Sequence, residues 1–199
     1  MLTDKSLRDF TKEIASKTST PGGGGASSLV SSVAIALGDM VGEFTIGKEK
    51  YKDVESDIIL LMEKAEILRL DFIDLIEEDA KAFLPLSKAY AIPKDDPNRE
   101  SIMEECLKNA MSVPLTIFNK TLDAIDILNE FYIKGSKIIK SDAVTGAVIA
   151  LGALKGAAVN VKVNTRLLKD KELAKNVEDH IDSKVEEYEK IVNKIYSDF

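Results

Sequence analysis

Between Tyr51 and Pro85, apolar side chains recur in steps of four and three: Val54, Ile58, Leu61, Ala65, Leu68, Phe72, Leu75 and, beyond Asp79, Phe83. That spacing puts all of them on one stripe of a helix. A stripe about eight turns long can be buried only against other helices. No segment shows sustained period-two alternation, so the chain is predicted to be all-α.

Five further helices follow from the same reading. The first starts at Thr3 as N-cap and carries Leu7, Phe10 and Ile14. A loop from Thr18 ends in Pro21-Gly22-Gly23-Gly24-Gly25. The second helix then runs from about Ala26 to Thr45 with Leu29, Val33, Leu37 and Val41 on one side, closed by Gly47. Pro85 kinks or ends the long third helix, and Ile92 to Pro97 is a break with two prolines. A fourth helix spans about Asn98 to Lys134 with a kink at Pro114. Ser141 or Asp142 caps a fifth that reaches about Leu168. The sixth covers about Lys171 to Tyr196, with Val177, Ile181, Val185, Tyr188, Val192 and Ile195 along its apolar side. Helices this long suit a multihelical antiparallel bundle, some members kinked, forming one domain over residues 1–199. The Ala- and Gly-rich fifth helix also lets a second copy approach closely.

Composition narrows the function. A net charge of −7 argues against nucleic acid and anionic membrane surfaces as partners. No apolar stretch is expected to reach the length of a membrane span; the longest, Ala143 to Val161, is broken by Lys155. Met1-Leu2-Thr3-Asp4 lacks the apolar run of a signal peptide, and the single cysteine, Cys106, suits a reducing cytoplasm. The lone histidine, His180, sits in a charged helix and reads as a solvated residue. One His and one Cys leave a His/Cys metal centre or a Ser-His relay almost without material. Acid–base chemistry must therefore fall to carboxylates, lysines or tyrosines.

Four places invite such chemistry. The glycine run leads directly into a helix, where free N–H groups can hold an anion or a polar ring; it serves equally as a tight helix approach. It lacks the Lys-Ser/Thr of a P-loop and the strand and spacing of a Rossmann turn. Asp79 occupies a seam position where Leu or Phe is expected. Burial there raises a carboxyl pKa and suits a general acid or base, or else a buried polar contact. On the fifth helix Asp142, Gly146, Gly156, Asn160 and Asn164 share a face, yet Asp142 lies about 27 Å from Asn160 along a straight helix. Within one chain these ends cannot line one small site. Asp142 is therefore an N-cap, or it reaches a site in a second copy. Gly47-Lys48-Glu49-Lys50-Tyr51 is a basic corner in an acidic protein, either a solvated turn or an anion-binding surface. Lys155 is a further cation, free to reach the surface from its apolar helix.

The ordered set Pro21-Gly22-Gly23-Gly24-Gly25-Ala26, Gly47-Lys48-Glu49-Lys50-Tyr51, Asp79-Ala80-Lys81-Ala82-Phe83, Ser141-Asp142 and Lys155 to Asn164 resembles the formimidoyltetrahydrofolate cyclodeaminase and methenyltetrahydrofolate cyclohydrolase family. The resemblance implies an all-helical homodimer binding a tetrahydrofolate derivative in a cleft, with no cofactor beyond that carrier and no metal. It makes Asp79, then Asp142, the catalytic candidates. Gly22, Gly23, Gly24, Gly25, Lys48, Lys50, Asn160 and Asn164 become candidates for substrate binding, the two lysines toward the anionic glutamate tail. Cyclodeaminase is the preferred reaction, cyclohydrolase the second. A noncatalytic metabolite- or partner-binding dimer is the reading from a different class.

Overall fold

The computed structural model describes residues 1–199 as six α-helices and one 3-10 turn, with no strand. The helices are α1 (Leu7–Ile14), α2 (Gly23–Glu43), α3 (Glu55–Ala89), α4 (Arg99–Lys134), α5 (Lys140–Thr165) and α6 (Lys171–Ser197), with the 3-10 turn at Glu49–Val54. The all-α bundle expected from the periodicity is what forms.

Successive helices α2 to α5 run antiparallel and close into a ring in which each packs on the next and α5 returns to α2. Pairings fix the directions. Ser28 Oγ donates to the Phe72 carbonyl at 2.6 Å, and Asn109 Nδ2 to the Ala82 carbonyl at 3.1 Å. Phe72, Phe118, Phe131, Ile35, Ile58, Ile125 and Leu154 fill the interior and are almost wholly buried. The α6 helix lies outside, against α5 and α4, with Ile181, Tyr188, Val192 and Ile195 inward. The α1 helix is peripheral and buries only Phe10.

The boundaries depart from the sequence reading where local chemistry offers a better partner. Ser6, not Thr3, caps α1, accepting from the Asp9 N–H, while Thr3 turns to Glu77, which accepts from its backbone N–H at 3.0 Å. Three of the four glycines lie inside α2 rather than in the loop before it, because Gly22 takes the extended N-cap conformation. The 3-10 turn delays α3 to Glu55. Gly47 adopts φ of 70°, the left-handed conformation that glycine permits, and lets the chain reverse there. Pro85 does not end α3, since its exposed position tolerates the lost hydrogen bond. Asp142 is not the N-cap of α5; Ile139 holds that place and Asp142 sits in the first turn.

One composition-based expectation is corrected. Both α2 and α5 are long and apolar enough to cross a membrane by length and hydropathy alone (1.3 and 1.6). Here they pack against each other as neighbours in the ring, and only about half of each apolar window is covered (56% and 50%). The uncovered part includes Val33, Val148, Val159 and Val163, which are 51, 43, 60 and 55% exposed.

Candidate active site

The glycine run, Asp79, Asn160 and Asn164 come together at one end of the ring. There the start of α2 meets the middle of α3 and the last turns of α5. A cavity of about 210 Å³ opens between them, lined by Gly22, Gly23, Gly24, Asp79, Asn160 and Asn164 among others.

Asp79 reaches the cavity because the α3 stripe carries it against the start of α2. Its Oδ2 accepts the Gly25 N–H at 3.1 Å. Gly22 has no side chain to cap α2, so a carboxylate from another helix takes over that role. Burial pushes the Asp79 carboxyl above the usual aspartate range, and the Gly25 hydrogen bond only partly opposes it. The side chain is thus a structural cap whose carboxyl also lines the cavity.

Gly23 and Gly24 are required by close approach. A Cβ on Gly24 would stand 2.2 Å from Asp79 Oδ1, and one on Gly23 would stand 2.8 Å from the Asn160 amide atoms. No other residue lets α2 come this near to both groups. The first N–H groups of α2 have no acceptor within the helix, so they add a positive, donor-rich rim beside the carboxylate.

The two asparagines are held by backbone. Asn160 Nδ2 donates to the Gly156 carbonyl at 2.8 Å, leaving Oδ1 without a protein donor. Asn164, 7% exposed, donates through Nδ2 to the Asn160 carbonyl at 3.0 Å and to the Ala110 carbonyl at 3.3 Å. That last acceptor is free for a covalent reason. Pro114, four residues further along α4, has no N–H to give it. A proline expected only to kink α4 therefore anchors a site residue.

The remaining candidates lie elsewhere in the chain. Asp142, Lys48 and Lys50 are at the opposite end of the α2–α5 pair. Lys48 and Lys50 are exposed, with Nζ 5.7 Å from the Phe44 ring centroid and 5.5 Å from that of Tyr51. Lys155 pairs with Glu189 at 2.8 Å. Phe83, Pro114, Val163, Ser19 and Thr20 join the lining without having been singled out for it. Phe83 was legible as the next seam position after Asp79, and Ser19 and Thr20 as neighbours of the glycine run. No three His, Cys, Asp or Glu side chains gather closely enough to ligate a metal.

One cavity in a helical bundle thus gathers a partly desolvated carboxyl, two backbone-held amides and a glycine-lined helix start, groups suited to acid–base chemistry on a polar ligand. Comparison with known proteins gives the particular family. The formiminotransferase-cyclodeaminase family matches residues 6–183. The methenyltetrahydrofolate cyclohydrolase of Methylorubrum extorquens is 35% identical over 178 residues, covering 87% of this chain and 86% of that one. The formimidoyltransferase-cyclodeaminase of Sus scrofa is 27% identical over 190 residues; the match takes in 94% of this chain but 35% of the pig enzyme. The crystal structure of a formiminotetrahydrofolate cyclodeaminase from Thermotoga maritima superimposes with a TM-score of 0.88 at 29% identity, covering 98% and 97% of the two chains. The chain belongs to the formiminotransferase-cyclodeaminase family and is an enzyme of its folate cyclodeaminase and cyclohydrolase class.

Proposed function

We propose that the chain converts 5-formiminotetrahydrofolate to 5,10-methenyltetrahydrofolate with release of ammonia. In the protonated substrate, N10 attacks the formimino carbon and a C–N bond forms. The N10 proton must leave and the departing amino group must gain one. Asp79 carboxylate takes the first proton and delivers the second, so the proton count balances within one site. The departing C–N bond breaks, ammonia leaves, and the methenyl bridge keeps the positive charge. The observation that carries this reading is the single carboxylate in the cavity, desolvated yet held by the Gly25 N–H. Binding that holds N10 against the formimino carbon would add an orientation effect.

The cyclohydrolase reaction is the second reading, favoured by the Methylorubrum relative, which aligns over most of both chains. There Asp79 would activate water against the same cationic carbon, opening the ring to 10-formyltetrahydrofolate. Neither scheme calls for a metal.

The working unit in this proposal is a homodimer. The half-covered apolar faces of α2 and α5 fit a second copy. A two-fold axis perpendicular to the pair and across its middle would set the cavity end of one chain beside the Asp142, Lys48 and Lys50 end of the other. Purified protein should release ammonia and form methenyltetrahydrofolate from 5-formiminotetrahydrofolate. Hydrolysis of methenyltetrahydrofolate above its spontaneous rate, without the first activity, would instead establish the cyclohydrolase. Silence in both assays from folded protein would refute both.

A further inference from the structure

A second and larger cavity, about 610 Å³, lies beside the first. Three elements run from one into the other. On α4, Ala110 lines the small cavity, while Leu107 and Met103 line the large one. Asn164 near the end of α5 gives way to Leu167 just past it, and Phe83 on α3 gives way to Tyr90 at its C-cap. The helix rise puts Met103 about 10 Å beyond Ala110, and Tyr90 about 16 Å beyond Asp79. The apolar lining of the large cavity is Tyr90, Met103, Leu107 and Leu167, and charged side chains form most of the rest of its rim, Glu104 falling between Met103 and Leu107 along α4.

Three cations and three carboxylates share that rim, but not evenly. Asp96 accepts the Asn98 N–H, Glu100 pairs with Lys169, and Glu104 accepts the Lys169 and Asp170 N–H groups as the chain enters α6. Lys94 and Arg99 remain without a carboxylate within ion-pair distance. Arg99 is half-buried and held in place, its Nε donating to the Ile92 carbonyl at 3.0 Å, so its two terminal nitrogens are presented rather than floppy. A fixed fork of that kind matches a carboxylate.

We propose that this cavity takes the glutamate end of the folate, with the aminobenzoyl ring against Leu107, Met103 and Tyr90 and the carboxylates on Lys94 and Arg99. The assignment rests on the folate reading above and adds to it a tail subsite within the same chain. It moves the tail away from Lys48 and Lys50, whose ammonium groups lie over aromatic rings and line neither cavity.

Calorimetric binding of 5-formyltetrahydrofolate and of 5-formyltetrahydropteroate, which lacks the glutamate, tests it without relying on turnover. The wild-type protein should bind the glutamate-bearing probe about tenfold more tightly. The Lys94→Ala/Arg99→Ala double variant should lose that advantage while keeping its affinity for the pteroate and its melting temperature. A Lys48→Ala/Lys50→Ala variant should retain the advantage. Folate binding with no tail advantage in the wild type, or an advantage lost through Lys48 and Lys50 instead, overturns the subsite and leaves the folate reading standing. Failure to bind either probe overturns both.

Discussion

The two ends of the antiparallel α2–α5 pair are built on opposite principles. At the cavity end, backbone and side chain approach so closely that only glycine fits at positions 23 and 24, and a carboxyl is partly desolvated. At the far end, Lys48 and Lys50 stand exposed on the basic corner, Asp142 is half-buried, and none of them lines either cavity at the other end. Even the corner's fixed contact is a surface one: the Lys137 N–H donates to the Tyr51 hydroxyl at 3.0 Å, and that bond holds the phenol below its ordinary pKa. The contrast teaches that this fold gathers desolvation and close packing at one end of the pair and exposed charge at the other. Antiparallel helices in a single chain keep those two properties about 27 Å apart.

The largest effect should come from removing the desolvated charge. Asp79→Asn preserves the acceptor for Gly25 and should lower kcat about a thousandfold with little change in melting temperature. In the wild type, the acid limb of kcat/KM should lie above the range of an ordinary aspartate, because burial raises this carboxyl. The limb should vanish in the variant. Wild-type turnover in Asp79→Asn would remove it as the acid–base group. Next in size is Gly24→Ala, whose new methyl would collide with Asp79 Oδ1 and shift the carboxylate; about a hundredfold loss in kcat is expected. Gly22→Ala is the control, since nothing lies within 4 Å of the added atom. Equal losses in the two variants would show that flexibility of the run, rather than close approach, is what matters.

The far end was the easier half to read and the cavity end the more rewarding. Periodicity identified the long helices because their stripes must be buried, and it exposed Asp79 because a carboxylate breaks such a stripe. The four glycines were visible as unusual, but not as the first turn of α2, because helix propensity disfavours glycine and the capping carboxylate comes from a residue 54 positions away. The buried serines of α2 were missed for a related reason. Ser28, Ser31 and Ser32 look polar and exposed in sequence, yet each is buried and bonded, to the Phe72 carbonyl, the Thr121 hydroxyl and the Arg69 carbonyl respectively. Asn160 and Asn164 were legible as a polar pair on a packed face, whereas Pro114 as the reason for Asn164's anchor needed the third dimension.

Subunit mixing tests whether the two ends meet across a dimer. Asp142→Ala and Asp79→Asn homodimers should each be poorly active. Equal mixing should restore about a quarter of wild-type activity, because half of the dimers are mixed and each of these holds one intact site. No recovery, despite demonstrated exchange of subunits, would overturn the shared site, and wild-type turnover in the Asp142→Ala homodimer would remove Asp142 from function.

The smallest effect concerns a second desolvated carboxylate, which sharpens what is special about Asp79. Asp39 lies further along α2, its Oδ1 buried with no hydrogen-bond partner. Burial, then the nearby charge of Glu66, push its carboxyl up to about 6, against a smaller pull from Arg69 and a further push from Glu43. Asp79 has a backbone donor and a cavity; Asp39 has neither. Since the folded pKa exceeds the unfolded one, protonated Asp39 favours the native state. Its contribution is fully present below about pH 4 and is lost as pH rises through 6. Asp39→Asn should therefore raise unfolding stability at pH 8 by about 1 kcal/mol after solvent screening, with no gain at pH 4 and no change in kcat. Denaturant titrations of both proteins across that range check it. A pH-independent gain would assign the effect to packing, and a loss of turnover would make the far half of α2 part of the chemistry after all.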